Sequence, residues 1–122
     1  MTETRELAVA AARAAASKKA ERVVILDMRE LLVITDYFVI AGASNERQVK
    51  TIAEEIQSAA RALGVKPVRR EGERDARWIL LDFVDFVVHV FLDEEREYYD
   101  LERLWADAPR EAWEPEEAAT GA

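Results

Sequence analysis

The fourteen-residue stretch Trp78–Phe91, WILLDFVDFVVHVF, is nearly all apolar yet carries Asp82, Asp85 and the only histidine of the chain, His89. Folded as a hairpin that turns at Val84-Asp85, it sets Phe83 opposite Phe86 and Trp78 opposite Phe91. Side chains alternate across a strand, so such a hairpin has two faces of different chemistry. Ile79, Leu81, Phe83, Phe86, Val88 and Val90 form one, wholly apolar, which is the core face. Trp78, Leu80, Asp82, Val87, His89 and Phe91 form the other. That second face is too apolar for a solvated surface and, with Asp82, too polar for a second core. A protein-binding surface has this composition, because aromatic residues supply most interface energy and a few polar groups fix orientation. A face partly covered by a helix, with Asp82 at its wet rim, has it equally. The register depends on the turn: Val84 is a poor residue for positive φ, and a three-residue loop would shift the pairing.

A chain of 122 residues suffices for one domain with one core. None of its apolar runs approaches the roughly 20 residues that span a bilayer. The N-terminus lacks a basic region followed by an apolar segment, so the expected location is the cytoplasm. The absence of cysteine removes disulfides, thiolate nucleophiles and cysteine-based zinc sites, and a single histidine argues against other zinc sites. No cofactor is expected, although a carboxylate site for magnesium stays open. The net charge of −8 is uneven: residues 1–92 hold 14 basic and 14 acidic side chains, residues 93–122 hold 3 and 11. An acidic end of this kind disfavours a phosphate backbone and suits a basic protein partner, or simply keeps an exposed end soluble.

Helical and strand patterns alternate along the chain without internal repeats. Residues 3–20 read as an alanine-rich helix with Leu7, Ala10, Ala11 and Ala14 on one stripe. Val23–Met28 and Tyr37–Ala41 read as strands, joined by Arg29–Asp36, which fits a short helix or a loop. The helix over 46–63 is marked by Val49, Ile52, Ala53, Ile56, Ala60 and Leu63, by Asn45 and Gln48 in a capping-box pattern, and by Gly64 beyond its end. Val65–Arg70 reads as an edge strand containing Pro67. Residues 94–106 have helical spacing at Tyr98, Leu101 and Trp105. The domain is placed at 1–108, and the proline- and glutamate-containing tail 109–122 is expected to be disordered.

Catalysis finds little support. Gly42-Ala-Ser44 before a helix, with Asp82 and Asp85 on later strands, faintly resembles the triphosphate turn and paired carboxylates of magnesium-dependent nucleotidyltransferases. Those enzymes place the two aspartates one residue apart, whereas a spacing of three puts Asp82 and Asp85 on opposite faces of an extended chain. His89 has no Gly-x-Ser-x-Gly elbow to serve, and a lone histidine in a strand is more often structural. Lys66, Arg69, Arg70, Arg74 and Arg77 cluster but are interrupted by Glu71, Glu73 and Asp75, and lack the interleaved aromatics that stack single-stranded RNA. A phosphate contact at the rim of a larger interface is compatible with them.

Several blocks in order carry a resemblance: Asp36-Tyr-Phe-Val-Ile40, Ser44 with Gln48-Val49, Glu71-Gly72, Trp78-Ile-Leu-Leu-Asp82, Asp85 with Val87-Val-His-Val-Phe91, Glu95-Arg96, and Tyr99-Asp-Leu-Glu-Arg-Leu-Trp105. Together they resemble the ribosomal silencing factor family, also called Iojap-like, over residues 20–106. The resemblance implies a single α/β domain with a mixed sheet flanked by helices, similar in topology to nucleotidyltransferases but not an enzyme. It implies binding to universal protein fourteen of the large ribosomal subunit, steric blocking of subunit joining, and repression of translation under nutrient limitation. A peripheral contact with ribosomal RNA and a homodimer in the free state are compatible with it. Its functional blocks fall on Trp78, Leu80, Asp82, His89, Phe91, Tyr99, Leu101 and Trp105, with Trp78 as the expected anchor. Asp82, Glu95 and Glu102 are the expected orienting contacts to basic groups, while Trp105 is assigned a structural clamp. Many relatives have glycine where Val84 stands.

Overall fold

In the computed structural model, which describes residues 3–114, the hairpin turns at Val84-Asp85, as the two-face reading requires. Strands β4 (Trp78–Asp82) and β5 (Phe86–Leu92) pair antiparallel, with Trp78 opposite Phe91, Leu80 opposite His89 and Asp82 opposite Val87. Val84 adopts the left-handed φ of +74° that its β-branched side chain disfavours. Local bonds hold it there: the Asp85 amide donates to Phe83 at 3.0 Å, a γ-turn, and the Val84 amide donates to Asp82 Oδ1 at 2.8 Å. Asp82 is thus first a turn-holding residue.

The remaining elements are α1 (Thr4–Ser17), β1 (Glu21–Asp27), β2 (Tyr37–Ala43), α2 (Glu46–Ala62), β3 (Arg69–Glu71), α3 (Asp93–Tyr99) and α4 (Leu101–Leu104). The five strands form one mixed sheet in the order β1-β2-β5-β4-β3, in which only β2 and β5 run parallel. The parallel neighbours are joined through α2, which crosses the sheet as such a connection demands.

One side of the sheet is sealed. Ile79, Leu81, Phe83, Phe86, Val88 and Val90 all lie in the main core with Ile25, Val39 and Ala41. Helices α1 and α2 cover them, α2 with Val49, Ile52 and Ile56 at zero exposure. Small residues on α1, Ala8, Ala11, Ala12 and Ala15, let the two helices approach closely. The start of α2 is built as a variant of the expected box. Asn45 Oδ1 accepts from the Gln48 amide at 2.8 Å, but Gln48 reaches back to the amide of Ser44, not of Asn45, and donates to the carbonyls of Lys18 and Lys19. The cap therefore also ties α2 to the end of α1.

The open choice at 29–36 is decided, and two elements differ from those read in the sequence by more than a few residues at their ends. The connection 29–36 is a series of turns, begun by the amides of Leu31 and Leu32 bonding to the Met28 carbonyl. The expected strand over 65–70 is confined to Arg69–Glu71, because pairing begins only past Pro67, where the Val68 amide donates to Asp82. The helix expected over 94–106 is broken in two at Asp100, which takes a left-handed φ of +48°.

The expected disorder from Pro109 is corrected for residues 109–114. Carbonyl and amide groups of Pro109 and Glu111 bond to Asp27 and Ile25 on the outer edge of β1, and the Trp113 indole donates to the Val23 carbonyl at 3.0 Å. A free strand edge is a costly row of unpaired groups, and this strap covers it. The expected domain boundary at 108 moves to at least 114. The rest of the expected tail, 115–122, lies outside the described residues.

Candidate functional site

The second face of the sheet is half covered. Leu26, Met28, Ile40 and Phe91 form a small second core beneath Ala108, with Leu101 and Trp105 packed on it. Helix α4 and the chain leading to Ala108 therefore roof the β1–β2 side, and the strand residues nearer β3 stay open. A helix covers one portion of this face, and a mixed apolar surface is left over.

Trp78 sits at the boundary. Its ring stacks on Phe91 with centroids 4.7 Å apart and lies against Tyr99 at the same 4.7 Å separation. Its indole N–H donates to His89 Nδ1 at 3.2 Å. Phe38 meets His89 edge-on at 4.8 Å and Trp105 at 6.4 Å, so the aromatics form one connected layer. Phe91 is 1% exposed and offers no contact surface, whereas His89, at 5%, shows only an edge. Burial pushes the imidazole pKa down to about 4, so the ring is neutral at pH 7. Trp78 is half-buried and already clamped on two sides, which leaves it one edge to present.

The carboxylates expected to meet a basic partner are each paired within the chain. Asp82 lies 3.6 Å from Arg69 in addition to holding the turn. Glu95 binds Arg77 at 2.6 Å. Glu102 accepts from Arg96 at 2.8 Å and lies 3.7 Å from Arg110. Burial opposes the charge on Glu102, but the bond from Arg96 and the surrounding arginines outweigh it and hold the pKa below the ordinary carboxylate value. Of the basic cluster, Arg69, Arg70 and Arg77 have acidic partners. Lys66 and Arg74 have none among the described residues.

What remains uncovered is apolar. Beside the hairpin tip, between β2, β4 and the turns of 29–36, lies an open groove of about 390 Å³. Leu80, Val87 and Phe38 line it, with Leu32, Ile34 and Val84 around them. Two of its residues are exposed to an unusual degree for such side chains, Ile34 at 81% and Val84 at 51%. At the other end of the face, Tyr98 and Leu104 are 81% and 68% exposed, with Tyr98 against Tyr99. The rim residues of 31–35 were not singled out from the sequence. The apolar run Leu31-Leu-Val-Ile34 was the available signal, but it reads as a buried segment until the turns that expose it are known.

The arrangement separates the groups of the nucleotidyltransferase alternative. Tyr37 is level with Phe86, and Ala43 is level with Leu92. Ser44 thus lies past one end of the sheet, while Asp82 and Asp85 lie at the other, roughly 20 Å away at the rise of a strand. They cannot bind one triphosphate together.

The fold and this face define a small α/β domain whose sheet is sealed on one side and left half open, with an aromatic and aliphatic surface, on the other. The family model described as ribosomal silencing factor during starvation matches residues 1–122. A protein of Halalkalibacterium halodurans named ribosomal silencing factor RsfS is 47% identical over 104 residues, covering 85% of this chain and 89% of that one. One of the same name from Bacillus subtilis is 46% identical over 99 residues, covering 81% and 84%. A crystal structure from Chromobacterium violaceum superposes with a TM-score of 0.83 at 34% identity, covering 86% of this chain and 88% of that one. The chain belongs to the ribosomal silencing factor family.

Proposed function

We propose that this protein docks its half-open sheet face on the large ribosomal subunit, through universal protein fourteen, and so blocks joining of the small subunit. The carrying observation is the apolar surface left on that face, with Ile34, Val84, Tyr98 and Tyr99 exposed and Leu80 and Trp78 half-buried, in a member of the silencing-factor family. Blocking by occupancy needs shape and affinity and no reacting group. An interface of ordinary size, about 800 Å² on each partner, excludes any other protein from the same spot. Repression of translation under nutrient limitation follows where the occupied subunits outnumber the free ones. The setting is the cytoplasm, and no described helix is long and apolar enough to cross a membrane.

In this reading Trp78 is a preorganised contact: with its ring held by Phe91 and Tyr99, little side-chain entropy is lost on docking. Asp82, Glu95 and Glu102 act by holding the turn and the ends of α3 and α4 in place. Leu80 and Tyr99 present surface, whereas His89, Phe91, Leu101 and Trp105 support it from beneath. Of the basic cluster, Lys66 and Arg74 are the groups left to touch ribosomal RNA at the periphery. A homodimer that used the same face would compete with the subunit.

Sucrose-gradient sedimentation of purified subunits in magnesium tests this. The protein should travel with the large subunit and reduce the joined peak in proportion to the amount added. A protein that stays at the top of the gradient while joining proceeds unchanged sinks the proposal.

A further inference from the structure

The groove beside the hairpin tip contains more than apolar walls. Thr35 and His89, each 5% exposed, both line it, and Thr35 Oγ1 and His89 Nε2 have no hydrogen-bond partner among the described residues. The state of the imidazole is fixed by its neighbour. An indole N–H can only donate, so the 3.2 Å bond from Trp78 makes His89 Nδ1 the acceptor and puts the proton of the neutral ring on Nε2. The groove is therefore backed by a ring N–H without an acceptor and a hydroxyl without a partner, both atoms covered in the free protein. Buried polar groups are satisfied in more than nine cases of ten, and two unsatisfied ones lining a single groove point to an occupant.

The chemistry of that occupant follows from the walls. Leu80, Val87, Phe38 and Ile34 call for aliphatic or aromatic surface. The two unpartnered groups call for an acceptor, and nothing favours a charge: the imidazole is neutral, and Asp82 and Arg69 lie 3.6 Å apart as a pair. An apolar side chain flanked by its own peptide carbonyls in an extended segment meets all of these requirements. The groove also opens outward past the exposed Ile34 and Val84, a wall suited to a macromolecule more than to an enclosed small ligand.

We propose that this groove receives an extended apolar segment of the partner protein, whose backbone carbonyls accept from His89 Nε2 and the Thr35 hydroxyl once the side chains over these atoms part. The inference rests on the docking reading above and relocates its energetic centre, from Trp78 to the pocket between Ile34, Leu80 and Val87. Trp78 is then a positioning residue, which orients the donor of His89.

Two variants test it on the full chain, Thr35→Val and Ile34→Asp, by titration against purified large subunits and against purified protein fourteen, with thermal midpoints measured alongside. Thr35→Val removes a hydroxyl unsatisfied in the free protein, so its midpoint should hold or rise while its affinity falls about five- to tenfold. A purely structural threonine would not separate the two readouts in this way. Ile34→Asp, at an exposed position, should leave the midpoint unchanged and weaken binding tenfold or more. Both losses should appear with subunit and isolated protein alike. Wild-type binding with both variants unimpaired overturns the groove and leaves the docking reading standing. Losses seen on the subunit but not on the isolated protein overturn the assigned occupant in favour of RNA. A wild type that binds neither overturns both proposals.

Discussion

The Trp78 indole donates its N–H to Nδ1 of His89, two residue pairs along the β4–β5 ladder and on the same face, and the ring it binds is 5% exposed. Because burial holds the His89 pKa at about 4, against an ordinary 6.5, stability depends on pH with a definite sign. Above pH 6.5 the ring is neutral folded or unfolded, and the contribution is fully present. Below it the unfolded chain takes up a proton that the folded chain refuses, so stability falls until about pH 4. Linkage puts the loss near 2 kcal/mol at pH 5. His89 is the only histidine, so His89→Leu should flatten this part of the profile. Urea midpoints of both proteins at pH 7.5, 6 and 5 check it, and equal slopes would contradict it.

Gly72 is required by the loop that leads into β4. Its φ is +83°, and a Cβ there would lie inside van der Waals contact of the Trp78 carbonyl, a backbone atom that cannot swing away. Gly72→Ala should destabilise the domain by about 2–4 kcal/mol, the range for strain combined with overpacking. The same shift should displace Trp78, visible as a change in its fluorescence. Gly64, at φ +87° but with open space around it, serves as the control, since Gly64→Ala pays only for the backbone.

Arg96 is a buried tie between elements distant in sequence. At 3% exposure it donates to Glu102 at 2.8 Å and to the carbonyls of Glu21 and Arg22 at 3.1 and 2.6 Å. Arg96→Met strands all three acceptors and should cost about 3 kcal/mol. Glu102→Gln keeps an acceptor and leaves the carbonyl bonds intact, so about 1 kcal/mol is expected. Chemical denaturation of the two variants measures the asymmetry, which is absent if the ion pair alone matters.

Removing the chain from Pro109 onward uncovers the outer edge of β1. The partners lost include the 2.7 Å bond from the Asp27 amide to Pro109 and the 2.9 Å bond from the Glu111 amide to Ile25, besides the packing of Trp113. The truncated protein should melt several degrees lower and aggregate on concentration, because an exposed edge templates pairing with another chain. Light scattering and the thermal midpoint are the readouts; unaltered values would show the strap to be dispensable.

The opening hairpin shows why one part of the fold was readable and another was not. Alternation along Trp78–Phe91 is local, with period two, and it separated two sets of side chains on each strand, whereas the pairing of Trp78 with Phe91 hung on the turn at Val84-Asp85, which the structure decided. The 3.6-residue period of α2 and its Asn45 cap are local in the same sense. Ordered sequence blocks likewise placed the chain in its family. What covers the second face is not local. Whether Leu101, Trp105 and Ala108 would roof it, whether 109–114 would lie on β1, and whether Glu95 and Glu102 would face solvent or Arg77 and Arg96 depend on distances between segments far apart in the chain. Composition suggested free carboxylates and an acidic tail, whereas packing places Asp82, Glu95, Glu102 and residues 109–114 in internal contacts. The groove belongs wholly to this second kind of information. Thr35, Ile34, Leu80 and His89 come from separate strands and a turn, and only the closing of β2 against β5 and of β5 against β4 brings them around one space, since a side chain's period describes its own element and carries no record of what lies across from it.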